Sequence, residues 1–233
     1  GFIMEIRTML IFGLIMIFSL LIPWYSKKKK KNSHLYIAVL AIGLAFALRG
    51  SHMNYQSGDY NTFLVNWVDY FRSNGGFKGF SESVGNYNVP YLYFLALFSY
   101  LPLNDLYLIK LLSIFFDVVL AFGMMKLAGI YTRSVPKRLA AYLITLLLPT
   151  VILNGSMWGQ CDSIYTALAV LALWLALSDR PKLSMVFMAL SFGFKLQAIF
   201  IMPIYLVLLF AKKIKLWHFF IFPVTYVIEI LPA

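Results

Sequence analysis

Residues 86–102 read NYNVPYLYFLALFSYLP, and whether this stretch crosses a membrane decides the fold. Its apolar run, 91–101, is short. Spanning the hydrocarbon core takes about 20 apolar residues, within a range of roughly 17–25. If the run crossed, Arg133, Lys137 and Arg138 would fall on the outer side. If it is an interfacial or re-entrant helix, 106–125 runs inward and those charges stay in the cytoplasm. Cationic loops are retained on the cytoplasmic side, so the second reading is the expectation.

Composition makes a membrane the right solvent to reason with. The chain has 233 residues, 61% hydrophobic and 12% charged, with a mean hydropathy of +0.80. A soluble domain is about half apolar and about a quarter charged. The 20 Lys+Arg against 9 Asp+Glu read as topology and contact with anionic lipid. No nucleic-acid motif accompanies them, so no nucleic-acid partner is expected. A single cysteine, Cys161, excludes an internal disulfide framework. The first hydrophobic stretch lacks a small-residue cleavage site and reads as a retained helix, not a signal peptide.

Upstream of the deciding stretch, 8–25 fits the low end of a span and is followed by five lysines at 27–31. Such a run belongs in the cytoplasm. A second span, 35–49, returns to the outer face and makes 50–88 a long external loop. Within it, Tyr60, Phe63, Leu64, Trp67, Val68 and Phe71 recur in steps of three and four. That spacing predicts an amphipathic helix over 60–72, lying in the membrane interface. The glycines of SNGGFKGF, 73–80, end it.

Downstream, 139–153 goes out, NGSMWGQCDS at 154–163 forms a second external loop, and 164–177 comes back to Arg180 and Lys182. The short stretches 183–194 and 197–211 read as two helices meeting at Lys195 near the outer face. Lys212, Lys213 and Lys215 follow on the inside, and 216–231 starts outward before the sequence stops at LPA. The expectation is an all-α, polytopic transmembrane protein with about eight membrane helices, plus interfacial helices in an external loop 50–104. Residues 1–233 read as one transmembrane domain, the N-terminal part of a longer protein.

This topology gathers Asp59, Asp69, Glu82, Asn88, Trp158, Gln160, Asp162, Lys195 and Gln197 on the outer side. Lys195 interrupts apolar sequence, LSFGFKLQAIF. A charge at membrane depth faces a cavity or a partner, or else snorkels to the interface. Asp59 precedes the helix, where Asp is a good N-cap. A cap and a catalytic base are compatible, because both require a carboxylate held in one orientation. Asp69 lies about 2.8 turns further on and does not stack on Asp59, so it reads as a solvated or structural charge. Asp162 or Ser163 suits a helix cap, yet Trp158, Gln160 and Asp162 in one short loop point to ligand contact. Asn154-Gly155-Ser156 matches a glycosylation acceptor but stands too near the membrane to be read as one. HExxH, CxxC, P-loop and GxSxG patterns are absent. His34, His52 and His218 are scattered and the external loop has no DxD pair. No metal site is expected, and metal-independent chemistry is favoured.

Four strings in order, SGDYNTFLVNW (57–67), YNVPYLY (87–93), NGSMWGQCDS (154–163) and FGFKLQAIFIMP (192–203), resemble the GT-C superfamily of membrane glycosyltransferases. They look most like the endoplasmic-reticulum glucosyltransferases that use dolichyl-phosphate glucose and the related bacterial mannosyltransferase-like proteins. The resemblance covers most of the chain from about Leu35 onward. The chain has one proline, Pro90, where many relatives have two.

The resemblance implies that a polyprenyl-phosphate sugar gives its hexose to a hydroxyl of a lipid-linked or polymeric glycan acceptor, on the outer face, with inversion at the anomeric carbon. Asp59 then matches the catalytic base. One carboxylate must take the acceptor proton, and the departing phosphate needs cations and hydrogen-bond donors. Lys195, with Gln197 nearby, is the candidate for the donor phosphate; Arg72 or Arg49 could serve instead. Trp158, Gln160 and Asp162 are candidates for the sugar or the floor of the site, and Tyr87 and Pro90 for positioning the loop. Lysine-rich cytoplasmic loops favour a bacterial plasma membrane over the endoplasmic reticulum. The alternatives are a transporter or flippase of polyprenyl-linked glycans, and a non-catalytic subunit of an envelope-assembly complex.

Overall fold

A computed structural model describes residues 5–26 and 33–233. The five lysines at 27–31 lie outside the described residues. Every regular element among the described residues is helical. In chain order α1 is Ile6–Tyr25 and α2 is Ser33–Ser51. A π-helical turn, Tyr60–Leu64, leads directly into α3, Val65–Ser73. After a 3-10 turn at Gly76–Ser81 come α4 (Val89–Phe98), α5 (Asp105–Tyr131), α6 (Val135–Leu147) and the short α7 (Pro149–Ile152). A second π-helical turn, Leu153–Met157, precedes α8 (Asp162–Leu177) and α9 (Pro181–Phe194). A 3-10 turn at Leu196–Ile201 opens α10 (Met202–Phe210), and another at Leu216–Phe220 opens α11 (Ile221–Ile230).

Three of these helices, α1, α2 and α5, are long and apolar enough to cross a membrane. A bent pair formed by α6 and the 149–157 segment makes a fourth if counted as one span. The deciding stretch is the short helix α4, as its length required. The 139–153 stretch falls in this pair, which turns by 49°. The cause is local. Leu148 is extended, with ψ 123°, because a residue before proline is pushed out of the α region, and Pro149 follows it.

The centre of the molecule is α5. Two thirds of its apolar window (67%) is buried, against 22% for α1 and 28% for α2. It packs on α8 and α6, and α8 packs in turn on α9. Small hydroxyl side chains pin neighbouring helices together, a common device where apolar surface alone gives little directional preference. Ser19 on α1 meets the Tyr142 hydroxyl on α6 at 2.8 Å. Ser191 on α9 donates to the Tyr165 carbonyl at 2.6 Å, next to the break at Lys195. Two side chains of α5 hold the turn that leads to Asp59. Lys110 Nζ donates to the His52 and Tyr55 carbonyls at 2.8 and 2.6 Å, and the Tyr107 hydroxyl donates to Asn54 at 2.7 Å.

Candidate functional site

The capping reading of Asp59 is corrected. Its side chain makes no cap hydrogen bond, and its backbone is already helical at φ −65°, ψ −38°. Ser57 does the capping: its hydroxyl accepts from the Tyr60 N–H at 3.1 Å, and its carbonyl accepts from Asn61. An N-cap hydroxyl bonding an N–H three residues on is the ordinary geometry of a helix start. The same Ser57 hydroxyl donates to the Trp158 carbonyl at 2.9 Å, tying the two polar loops together. Asp59 therefore sits in the first turn with its carboxylate exposed and free for other work.

Gln160 takes up that carboxylate. Its amide Nε2 donates to Asp59 Oδ2, and its Oε1 accepts from the Tyr87 hydroxyl at 3.0 Å. Burial pushes the Tyr87 phenol well above its ordinary pKa, with Cys161, Asp59 and Asp162 adding to the rise. The Gln160 amide thus points its N–H at Asp59 and its oxygen at the Tyr87 hydroxyl, which donates to it. The Gln160 backbone is held by Ser113 on α5, whose hydroxyl donates to its carbonyl at 2.8 Å. Gly159, at φ +66°, makes the left-handed turn that carries the chain from the π-helical segment into this position, which a side-chain-bearing residue adopts only at a cost.

Two residues beyond Gln160, Asp162 begins α8. It forms an ion pair with Lys195, and its other oxygen accepts from the Asn154 amide at 2.8 Å. Lys195 has extended backbone, φ −152° and ψ 126°, which separates α9 from the following turn, and its ammonium lies 5.7 Å from the centre of the Tyr165 ring. Asp59 and Lys195 both line one cavity of about 570 Å³, together with Phe63, Trp67, Tyr87, Gln197 and Phe200. Its lining combines charged and polar side chains with aromatic and aliphatic ones.

Of the residues singled out from the sequence, Asp59, Tyr87, Lys195 and Gln197 line the cavity. Gln160 and Asp162 join Asp59 to Lys195 through the chain segment between them. Pro90 is buried in the first turn of α4, two residues after the lining residue Asn88. Trp158 is 47% exposed and contributes its carbonyl, not its ring, to the contacts that hold the site.

The two arginine candidates are elsewhere, and both are corrections. Arg72 is engaged by Asp105 at 2.7 Å and Asp69 at 3.0 Å, beside a separate depression that includes Tyr60 and Asn104. Asp69 is thus a structural charge. Arg49 is fully buried and pairs with Asp117 at 3.0 Å, so it reaches no ligand in this cavity. Sequence reasoning missed the holding roles of Ser57, Ser113 and Asn154. Only Ser57 carried a local signal, its spacing of three from Tyr60. Asn154 had been read only as a formal glycosylation acceptor.

Fold and site together define a protein whose regular elements, among the described residues, are all helical, with candidate membrane-spanning helices and a mostly apolar cavity lined by a carboxylate and an ammonium group. No protein-family model, no curated protein and no solved structure matches the chain.

Proposed function

We propose that this chain is the catalytic part of a multi-pass membrane glycosyltransferase of the GT-C kind. It transfers a hexose, with inversion, from a polyprenyl-phosphate sugar to a hydroxyl of a lipid-linked or polymeric glycan. In this reading the shorter apolar helices also enter the bilayer, making about eight membrane helices. The cavity opens on the outer face, and the lysine-rich loops face the cytoplasm of a bacterium. The observation that carries the reading is the shared cavity. Asp59 and Lys195, far apart in sequence, line the same space together with aromatic side chains.

The chemistry follows from that arrangement. The acceptor O–H gives its proton to Asp59 as its oxygen attacks the anomeric carbon. The bond from that carbon to the phosphate oxygen breaks, and its electron pair leaves with the polyprenyl phosphate. Gln160 engages one Asp59 oxygen, so the other is available as the base. Lys195 offers positive charge where the leaving phosphate gains negative charge. The apolar wall of Phe63, Trp67, Ile199 and Phe200 suits a lipid chain better than water. A transporter would need its mid-helix charges on a polar path, whereas Asp117 is sealed by Arg49 and Ser163 with no exposure to solvent.

Asp59→Asn removes the base and keeps the side-chain volume. Purified in lipid nanodiscs, it is expected to lose at least about a hundredfold in transfer while its thermal unfolding is unchanged. The assay is release of polyprenyl phosphate from a labelled polyprenyl-phosphate sugar. Full activity in the variant would remove Asp59 from the mechanism. No release by the wild-type protein with any such donor would remove the enzyme reading.

A further inference from the structure

We infer that Asp162 is a resident counter-ion, which holds the Lys195 ammonium at the cavity wall and sets how tightly the cavity binds a phosphate group. The inference rests on the donor-phosphate role proposed for Lys195 and goes beyond it. The sequence suggests Asp162 for the sugar or for the floor of the site, and its contacts favour the holding role. Both of its oxygens are engaged, one by Lys195 and one by Asn154. It is not among the residues lining the large cavity, whereas Lys195 is. Asp162 instead borders a smaller cleft of about 210 Å³ on α5, α7 and α8, with Thr150, Ser163 and Thr166. The Lys195–Asp162 pair therefore joins a residue that lines one space to a residue that lines the other.

The carboxylate is held in place by more than Lys195. It stands in the first turn of α8, where helix N–H groups favour negative charge, and it accepts the Asn154 amide. Its charge cancels that of Lys195 at short range and takes up one of the ammonium's three N–H donors. The Lys195 side chain remains 22% exposed, so its remaining donors can meet an anion from the cavity.

The consequence is a bias between substrate and product. A polyprenyl-phosphate sugar is a phosphodiester with one negative charge. The polyprenyl phosphate left after transfer is a monoester with about −1.5 to −2 charges at neutral pH. An unopposed ammonium would hold the more highly charged product more tightly and slow its release. A carboxylate fixed behind the ammonium repels the phosphate, and repels the monoester more. Asp162 is accordingly a positioning and specificity residue that favours product departure.

The test measures binding of polyprenyl phosphate and of uncharged polyprenol to the full chain in nanodiscs, without turnover. Asp162→Asn is expected to bind polyprenyl phosphate about tenfold tighter than wild type. Asp162→Glu, which restores the charge, should return to the wild-type value. Lys195→Met should weaken binding by about tenfold, and none of the variants should alter polyprenol binding. In steady-state transfer, Asp162→Asn should show product inhibition at correspondingly lower polyprenyl phosphate, with KM for the donor falling less than the inhibition constant. Asp162→Ser, a smaller residue well suited to a helix start, is the second neutral variant and should also bind more tightly. Unchanged or weaker phosphate binding in the neutral variants overturns the counter-ion role and leaves the site reading intact. Wild-type protein that fails to bind polyprenyl phosphate at all overturns the site reading instead.

Discussion

Asp59 and Asp69 lie on one stretch of chain and differ in what surrounds their carboxylates. Asp69 is taken up by Arg72 at 3.0 Å, within an exposed pair of the kind that contributes little to stability. Asp59 faces a cavity and is engaged through one oxygen by Gln160, which is itself oriented by the Tyr87 hydroxyl. Removing that hydroxyl should act on chemistry more than on folding. Tyr87→Phe removes the partner that holds the Gln160 amide from its other side, so the amide's hold on the Asp59 carboxylate loosens. Transfer in this variant is expected to fall by about tenfold, mainly in kcat, since a misplaced general base typically forfeits part of a 10²–10⁴ effect. Donor KM should change little. A loss confined to KM would mean that Tyr87 serves binding and not the orientation of Asp59.

At the scale of elements, the site depends on where helices stop. α9 ends at Lys195, whose extended backbone breaks the helix at a residue that lines the cavity. Two residues earlier, Gly193 meets Glu229 of α11 so closely that a Cβ there would run into the carboxylate. The Glu229 oxygens are buried and have no hydrogen-bond partner among the described residues. Gly193→Ala is therefore expected to displace the flexible end of the Glu229 side chain and to destabilise the protein by about 1 kcal/mol, the low end of the range for overpacking. Thermal unfolding in nanodiscs would register it as a lower midpoint. The double variant Gly193→Ala/Glu229→Ala removes the obstructing carboxylate and should recover most of the loss. A double variant no more stable than Gly193→Ala would mean that the glycine is needed for something other than room for Glu229.

Across the whole molecule, the buried Arg49–Asp117 pair joins α2 to α5. Arg49 also donates to the Leu146 carbonyl at 2.8 Å near the end of α6, and Asp117 accepts from Ser163 on α8. One ion pair therefore ties four helices behind the site. Removing either partner leaves an uncompensated buried charge, so Arg49→Met and Asp117→Leu are each expected to destabilise by about 3–5 kcal/mol. Replacing both should lie much closer to wild type, because apolar residues can fill a buried pair's place at little net cost. Denaturant or thermal unfolding of the two single variants and the double completes the comparison. A strictly additive double would show that the two charges do not act as a pair.

Much of this architecture was legible in the sequence because it depends on neighbours along the chain. Run length separated α1, α2 and α5 from the short α4. Spacing in threes and fours marked the amphipathic segment that begins at Tyr60, and a lone charge in apolar sequence marked the break at Lys195. Asp59, Tyr87, Lys195 and Gln197 were singled out before any geometry, and they line one cavity. The bend before Pro149 is a local proline effect, and hydropathy alone passed over it. What only the tertiary structure decided was pairing. Sequence could not show that Ser57 rather than Asp59 caps the helix while reaching Trp158, or that Gln160 bridges Tyr87 and Asp59. Nor could it show that Asp162 is committed to Lys195, or that Arg49 and Arg72 are spent on Asp117 and Asp105. The physical reason is one of range. Hydropathy and helix periodicity act over a few residues, whereas a hydrogen bond or ion pair is chosen by whichever partner the folded helices bring within about 3 Å.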